Sequence, residues 1–163
     1  MNTPKLNTYQ LKQTFIHNLN RMYFGKLLLS QKMDGLIESA SSKALGLALT
    51  EMAGDLINQI NRMSEMYGLI NEKPANEVNN PLKAIIKDEF CLGTSSETEI
   101  INDMDIILYV QILEHINITA YRLMKLTSPV FNNKKVEELL MECFDESIDD
   151  DQLFVLVSKE YID

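Results

Sequence analysis

With 163 residues, the chain is long enough for one domain with a real core and too short for two comfortable ones, so a single helical domain over residues 1–163 is expected. Asp and Glu outnumber Lys and Arg by 24 to 15, a formal charge of -9. That argues against nucleic acid or an anionic membrane surface as partner. Residues 1–13 lack the apolar core of a signal peptide, and no apolar run approaches the ~18–20 residues that span a bilayer, so a soluble, cytoplasmic protein is expected.

Only 6 Gly and 4 Pro leave long unbroken stretches, which favour helices. The first helix is predicted from about Thr8 to Ser39. Leu11, Phe15, Leu19, Met22, Leu29, Met33 and Leu36 recur at steps of three and four, and the step between Met22 and Leu29 lands on Lys26. Ser39 to Ser42 form a polar break able to cap a second helix, which runs to about Ile70. Its seam reads Leu45, Leu49, Met52, Leu56, Ile60, Met63, Tyr67 and Ile70, with Asp55 beside it. A linker containing Pro74 follows, then a short helix from Pro81 to about Phe90 with Asn80 as its cap. Ser96 and Glu99 have the spacing of a capping box for a third long helix. That helix reaches about Thr127 with the seam Ile101, Met104, Leu108, Gln111, Glu114, Ile118, Tyr121 and Met124. Ser128-Pro129 ends it. The last helix starts near Asn133 and runs towards Lys159. Val136, Leu139, Cys143, Leu153 and Val157 mark its face, and the same rhythm puts Glu146 and Asp150 there too.

Short connection, long crossover and short connection are the layout of an all-α, ferritin-like four-helix bundle, here with a short fifth helix in the crossover. Carboxylates projecting inward from several helices are how such bundles hold a pair of metal ions. Asp55, Glu114, Glu146 and Asp150 are therefore the candidate metal ligands, and hard oxygen donors suit iron or manganese. The pattern is incomplete. Lys26 brings a positive charge to the seam, and Asn117, a weak neutral ligand, follows Glu114 by three. Lys26 either snorkels to solvent or replaces a metal by pairing with Glu114, Glu146 or Asp150.

Several segments resemble the YciE/YciF-type branch of the ferritin-like superfamily. They are Phe15-Ile16-His17 and Tyr23; Gln59 and Arg62; Asn71-Glu72-Lys73-Pro74; and Asp103 through Gln111 into Leu113-Glu114-His115-Ile116-Asn117-Ile118-Thr119-Ala120-Tyr121. The resemblance covers roughly Tyr9 to Leu156. It implies a dimetal ferritin fold, a homodimer and an association with bacterial stress responses. It also implies which ligands are missing. Lys26 stands at the family's first-helix Glu, Met52 and Gly54 at a His and a Glu of the second helix, and Asn117 at the second Glu of the third.

Two functions follow as expectations. The first is a non-catalytic bundle with a degenerate, empty metal site and no bound cofactor, acting by self-association or through a protein partner in stress physiology. The second is a dimetal (iron or manganese) carboxylate protein with oxidoreductase-type activity. His17 and His115 are read as hydrogen-bonded structural residues and the methionines of the second helix as core filler. Cys91 and Cys143 are read as unreactive for want of a basic neighbour. The Asn117-Ile118-Thr119 sequon is read as a chance match inside a helix.

Overall fold

The computed structural model describes residues 3–92 and 98–162. Among these residues six α-helices follow one another: α1 (Thr8–Ser30), α2 (Met33–Ser39), α3 (Lys43–Leu69), α4 (Asn80–Lys87), α5 (Glu99–Thr127) and α6 (Lys134–Lys159). Among the described residues there is no strand.

All the helix starts except that of α2 carry a side-chain cap. Asn7 and Gln10 form a reciprocal capping box on α1, and Ser42 Oγ accepts from Leu45 N to open α3. Asn133 Oδ1 accepts from Lys135 N and Val136 N to open α6. Two expected boundaries move. The cap of α4 is Asn79, one residue earlier than Asn80, so Pro81 sits in the second helical position. Of the expected capping box at α5, Ser96 lies outside the described residues; Thr98 supplies the cap, its Oγ1 accepting from Ile101 N.

The expected first helix is two helices. The chain turns at Gln31–Lys32, just after Ser30 Oγ bonds back to the Leu27 carbonyl. A serine hydroxyl competing for backbone carbonyls weakens a helix locally, and neither Gly nor Pro marks the place.

The four long helices form a ring in which α1 packs on α3 and α5, and α6 packs on both α3 and α5. The crossover between α3 and α5 carries α4, which lies on α1 at Gly25. A Cβ there would meet Leu82 Cδ2 at 3.3 Å, so the glycine permits the close approach.

The apolar core is divided. One cluster gathers Leu29, Leu45, Leu49, Met52, Leu56, Ile107, Val110 and Phe154. The other gathers Phe15, Leu19, Met22, Met63, Tyr121, Met124, Leu140 and Cys143. In each long helix the residues between its two apolar stretches are polar and buried: Lys26, Gln59, Glu114 with Asn117, and Ser147 with Asp150. Among the described residues no helix is long and apolar enough to cross a membrane.

Candidate metal centre and its relatives

The polar layer at mid-bundle is assembled by helical spacing on all four helices. On α1 the buried positions run Phe15, Leu19, Met22, Lys26 and Leu29, so Lys26 enters the core by the same three-four rhythm as its apolar neighbours. It is 1% exposed, so it does not snorkel to solvent. Nor does it form the expected contact pair, because among the described residues no carboxylate lies within ion-pair distance of it. Its ammonium stands 5.6 Å from the centre of the Tyr121 ring. Burial pulls its pKa below that of an ordinary lysine, while Glu114, Asp150 and Glu146 at longer range pull it back up.

On α5 the buried polar residues are Glu114 and Asn117. Asn117 Nδ2 donates to Glu114 Oε2 at 3.2 Å, and Asn117 Oδ1 has no partner. Burial raises the Glu114 pKa, opposed chiefly by the Lys26 charge. The first half of the expected α5 seam is rotated. Ile101 and Leu108 are half exposed, whereas Asp103, Ile107 and Val110 are buried. Helix α5 is apolar on more than one side, so periodicity alone offers two faces, and the inward one carries an aspartate.

On α6 the buried rhythm is Cys143, Ser147, Asp150, Phe154 and Val157. Asp150 is inside as expected, and burial, with Glu114 and Asp55 adding repulsion, pushes its pKa up to about 8. Glu146 is not inside. It lies at the rim, where Arg62 of α3 holds its Oε2 at 2.7 Å and Glu142 Oε2 at 2.7 Å. Asp55 is half-buried at the edge of α3 and acts on Asp150 through its charge. On α3 Gln59, not Ile60, points inward, and its Oε1 accepts from Tyr121 Oη at 2.8 Å.

Cys143 is a free, buried thiol. Contrary to the sequence reading it does have basic neighbours, Lys26 and Arg62, but burial outweighs them and moves its pKa up to about 11. His115 is exposed, with Nε2 3.3 Å from Asp151 Oδ1. His17 Nδ1 meets Glu77 Oε1 at 2.6 Å. Asn117 is fully buried, which leaves its sequon out of reach of any glycosylating enzyme.

The sequence reading gave no role in the centre to Arg62 or Ser147. Signals for both were present. Asp55, Gln59 and Arg62 step by four and three beside the α3 seam, and so do Cys143, Ser147 and Asp150 on α6.

A dimetal centre does not fit these residues. Among the described residues no group of three or more His, Cys, Asp or Glu side chains is arranged to hold a metal ion. One carboxylate is engaged by Arg62, and the buried Lys26 side chain occupies the same layer as Glu114 and Asp150.

The family profile of DUF892, a domain of unknown function, matches residues 10–162. The chain belongs to this family. The solved structure of the E. coli stress protein YciF is similar to this DUF892 chain, with a TM-score of 0.86 at 20% identity over 93% of this chain and 96% of that one. YcfI from Rhodopseudomonas palustris gives a TM-score of 0.82 at 17% identity over 94% of this chain and 96% of that one. At these identities the likeness shows the fold, which is YciF-like and ferritin-like. No curated protein sequence matches the chain.

Proposed function

We propose that this DUF892 chain is a non-catalytic ferritin-like bundle, working in a stress response as a self-associating protein. One observation carries the non-catalytic part: Lys26 is buried at mid-bundle, in the polar layer that also holds Glu114 and Asp150. The Lys26 side chain fills the layer where a metal would sit, and whenever it is protonated its charge repels any cation entering that layer. The stress assignment rests on the shared fold with YciF, which is described as a stress protein.

Self-association is supported by the outer face of α5. Ile101, Leu108, Ile112 and Leu123 are exposed, and Leu108, Ile112, Ile116, Ala120 and Leu123 line one apolar groove with Asn18 of α1. Exposed apolar residues in one contiguous strip mark an interaction surface more often than single ones do. A helix face of this kind fits a second copy of itself across a two-fold axis.

Two measurements test the proposal. Protein purified without chelator, with iron and manganese supplied, is expected to carry no stoichiometric metal; one or two ions per chain would end the non-catalytic reading. Light scattering is expected to give twice the mass of one chain, and Ile112→Glu is expected to halve it. A monomer at tens of micromolar would remove the α5 pairing.

A further inference from the structure

The segment between α3 and α4, residues 71–79, lies against α1 as a strap. It leaves α3 through Asn71, which takes the left-handed conformation with φ 56°. Two side chains a turn apart on α1 hold it. Asn20 Oδ1 accepts from Ala75 N at 3.2 Å and from Tyr67 Oη at 2.6 Å. His17 Nδ1 lies 2.6 Å from Glu77 Oε1. The imidazole is half exposed, while the Glu77 side chain is only 25% exposed. Glu77 Oε2 is buried and has no hydrogen-bond partner among the described residues. Arg21 Nε stands 3.7 Å from it, close enough to attract it but too far for a hydrogen bond. Glu77 therefore leans on His17.

We infer that the His17–Glu77 contact is a pH-sensitive latch on this strap, closed while the imidazole carries its proton and loosened when the proton leaves. A separation of 2.6 Å is shorter than the ~2.9 Å of a neutral N–H···O bond and fits a charged donor on a carboxylate. Histidine is the side chain whose charge changes between pH 5 and 8, and the exposure of His17 lets the proton leave without the fold opening. Its loss strands a mostly covered carboxylate, whose charge is then better solvated by water than by the strap's seat. The other ionisable groups at this place are Arg21 and Tyr23 on α1, Tyr67 on α3 and Lys83 on α4. Arginine and lysine stay charged, and tyrosine neutral, across that range. Helix α5 offers Ile116 and Ala120 beside the strap, and the turn 128–131 on the start of α1 has no ionisable side chain. When the latch loosens, Ala75 stays pinned to Asn20, which is not titratable. Residues 76–78 then lift from a cleft of about 230 Å3 walled by Phe24, Leu28, Val78 and Leu82, and the apolar surface beneath meets water.

Amide hydrogen exchange of residues 75–80, corrected for the intrinsic pH dependence of exchange, tests the latch. A surface strap opens far more often than the whole bundle unfolds, so its exchange reports the local event. In wild type the protection of these amides is expected to fall about threefold between pH 5.5 and pH 8, the size that a partly exposed ion pair supports. His17→Gln and Glu77→Gln are expected to be as open at pH 5.5 as wild type is at pH 8. His17→Lys, which keeps a positive charge at both pH values, is expected to keep the strap protected at pH 8. A purely structural His17 would not give that rescue. Equal protection of the wild-type strap at the two pH values overturns the inference. So does the same pH-dependent loss in His17→Gln or in His17→Lys. All three substitutions are at a part-exposed surface contact, so the helices are expected to remain folded, which circular dichroism checks.

Discussion

Arg62 Nη1 donates to Glu146 Oε2 at 2.7 Å, while Arg62 Nε donates to Glu142 Oε2 at the same distance. One guanidinium thus binds two carboxylates a helical turn apart on α6, and it fastens α3 to α6 beside the polar layer. Burial works against the Arg62 charge, but Glu146, Cys143 and Glu142 together more than compensate, and the net effect is a raised pKa. The pair also keeps Glu146 turned away from Lys26.

Arg62→Ala is expected to cost about 1–2 kcal/mol, because charged hydrogen bonds are lost at a site where both partners are only about one-fifth exposed. Urea unfolding at low and high salt checks this. The cost should shrink with salt but persist, and a variant as stable as wild type at both ionic strengths would show that the fork contributes nothing.

Asp103 organises one end of the bundle. Its carboxylate accepts from Ser41 N at 2.8 Å, Ser41 Oγ at 2.7 Å, Ser42 N at 3.2 Å and Tyr161 Oη at 2.6 Å. It therefore ties the α2–α3 turn and the segment after α6 to α5. Asp103→Ala leaves these donors without an acceptor and is expected to cost about 2–4 kcal/mol. The Tyr161 hydroxyl, whose pKa burial and the Asp103 bond move up to about 12, should then titrate closer to an ordinary tyrosine. Absorbance titration of Tyr161→Phe against wild type, in both backgrounds, isolates that shift.

The pH dependence of stability reports the polar layer. A carboxyl raised to about 8 in the fold from 3.8 in the free residue binds more protons folded than unfolded between those values. Stability therefore falls as pH rises through that window. Glu114, raised by burial, acts in the same sense. Lys26, lowered by burial, acts oppositely, adding stability as pH rises towards the ordinary lysine range. Asp150→Asn removes one contribution alone, so its stability relative to wild type is expected to be greater at pH 9 than at pH 5. A difference independent of pH would show that Asp150 is not held protonated by the fold.

Much of the bundle was legible because helical signals are local. Breaks at Ser39–Ser42 and Ser128-Pro129, a cap among the serines of the first break, a last helix starting near Asn133, and the arrangement of a long crossover between two helix pairs follow from residues a few positions apart. The turn at Gln31–Lys32 was not legible, because a serine back-bond carries far less signal than Gly or Pro. The inward face of α5 was misread over its first half because Ile101 and Leu108 are as apolar as Ile107 and Val110. Only the partners of Asp103, in the α2–α3 turn and after α6, show why an aspartate faces in.

The sequence by itself put Lys26, Glu114, Glu146 and Asp150 on or beside the seams of their helices, since a 3.6-residue period gives direction from neighbours on the same helix. Tertiary structure decided what those side chains meet. It brought the four polar steps to one level between two apolar clusters, handed Glu146 to Arg62, and left Lys26 near carboxylates without touching them. Periodicity carries no information about rotation and height between helices, and distances of a few ångströms there separate an ion pair, a metal centre and a buried charge held through space.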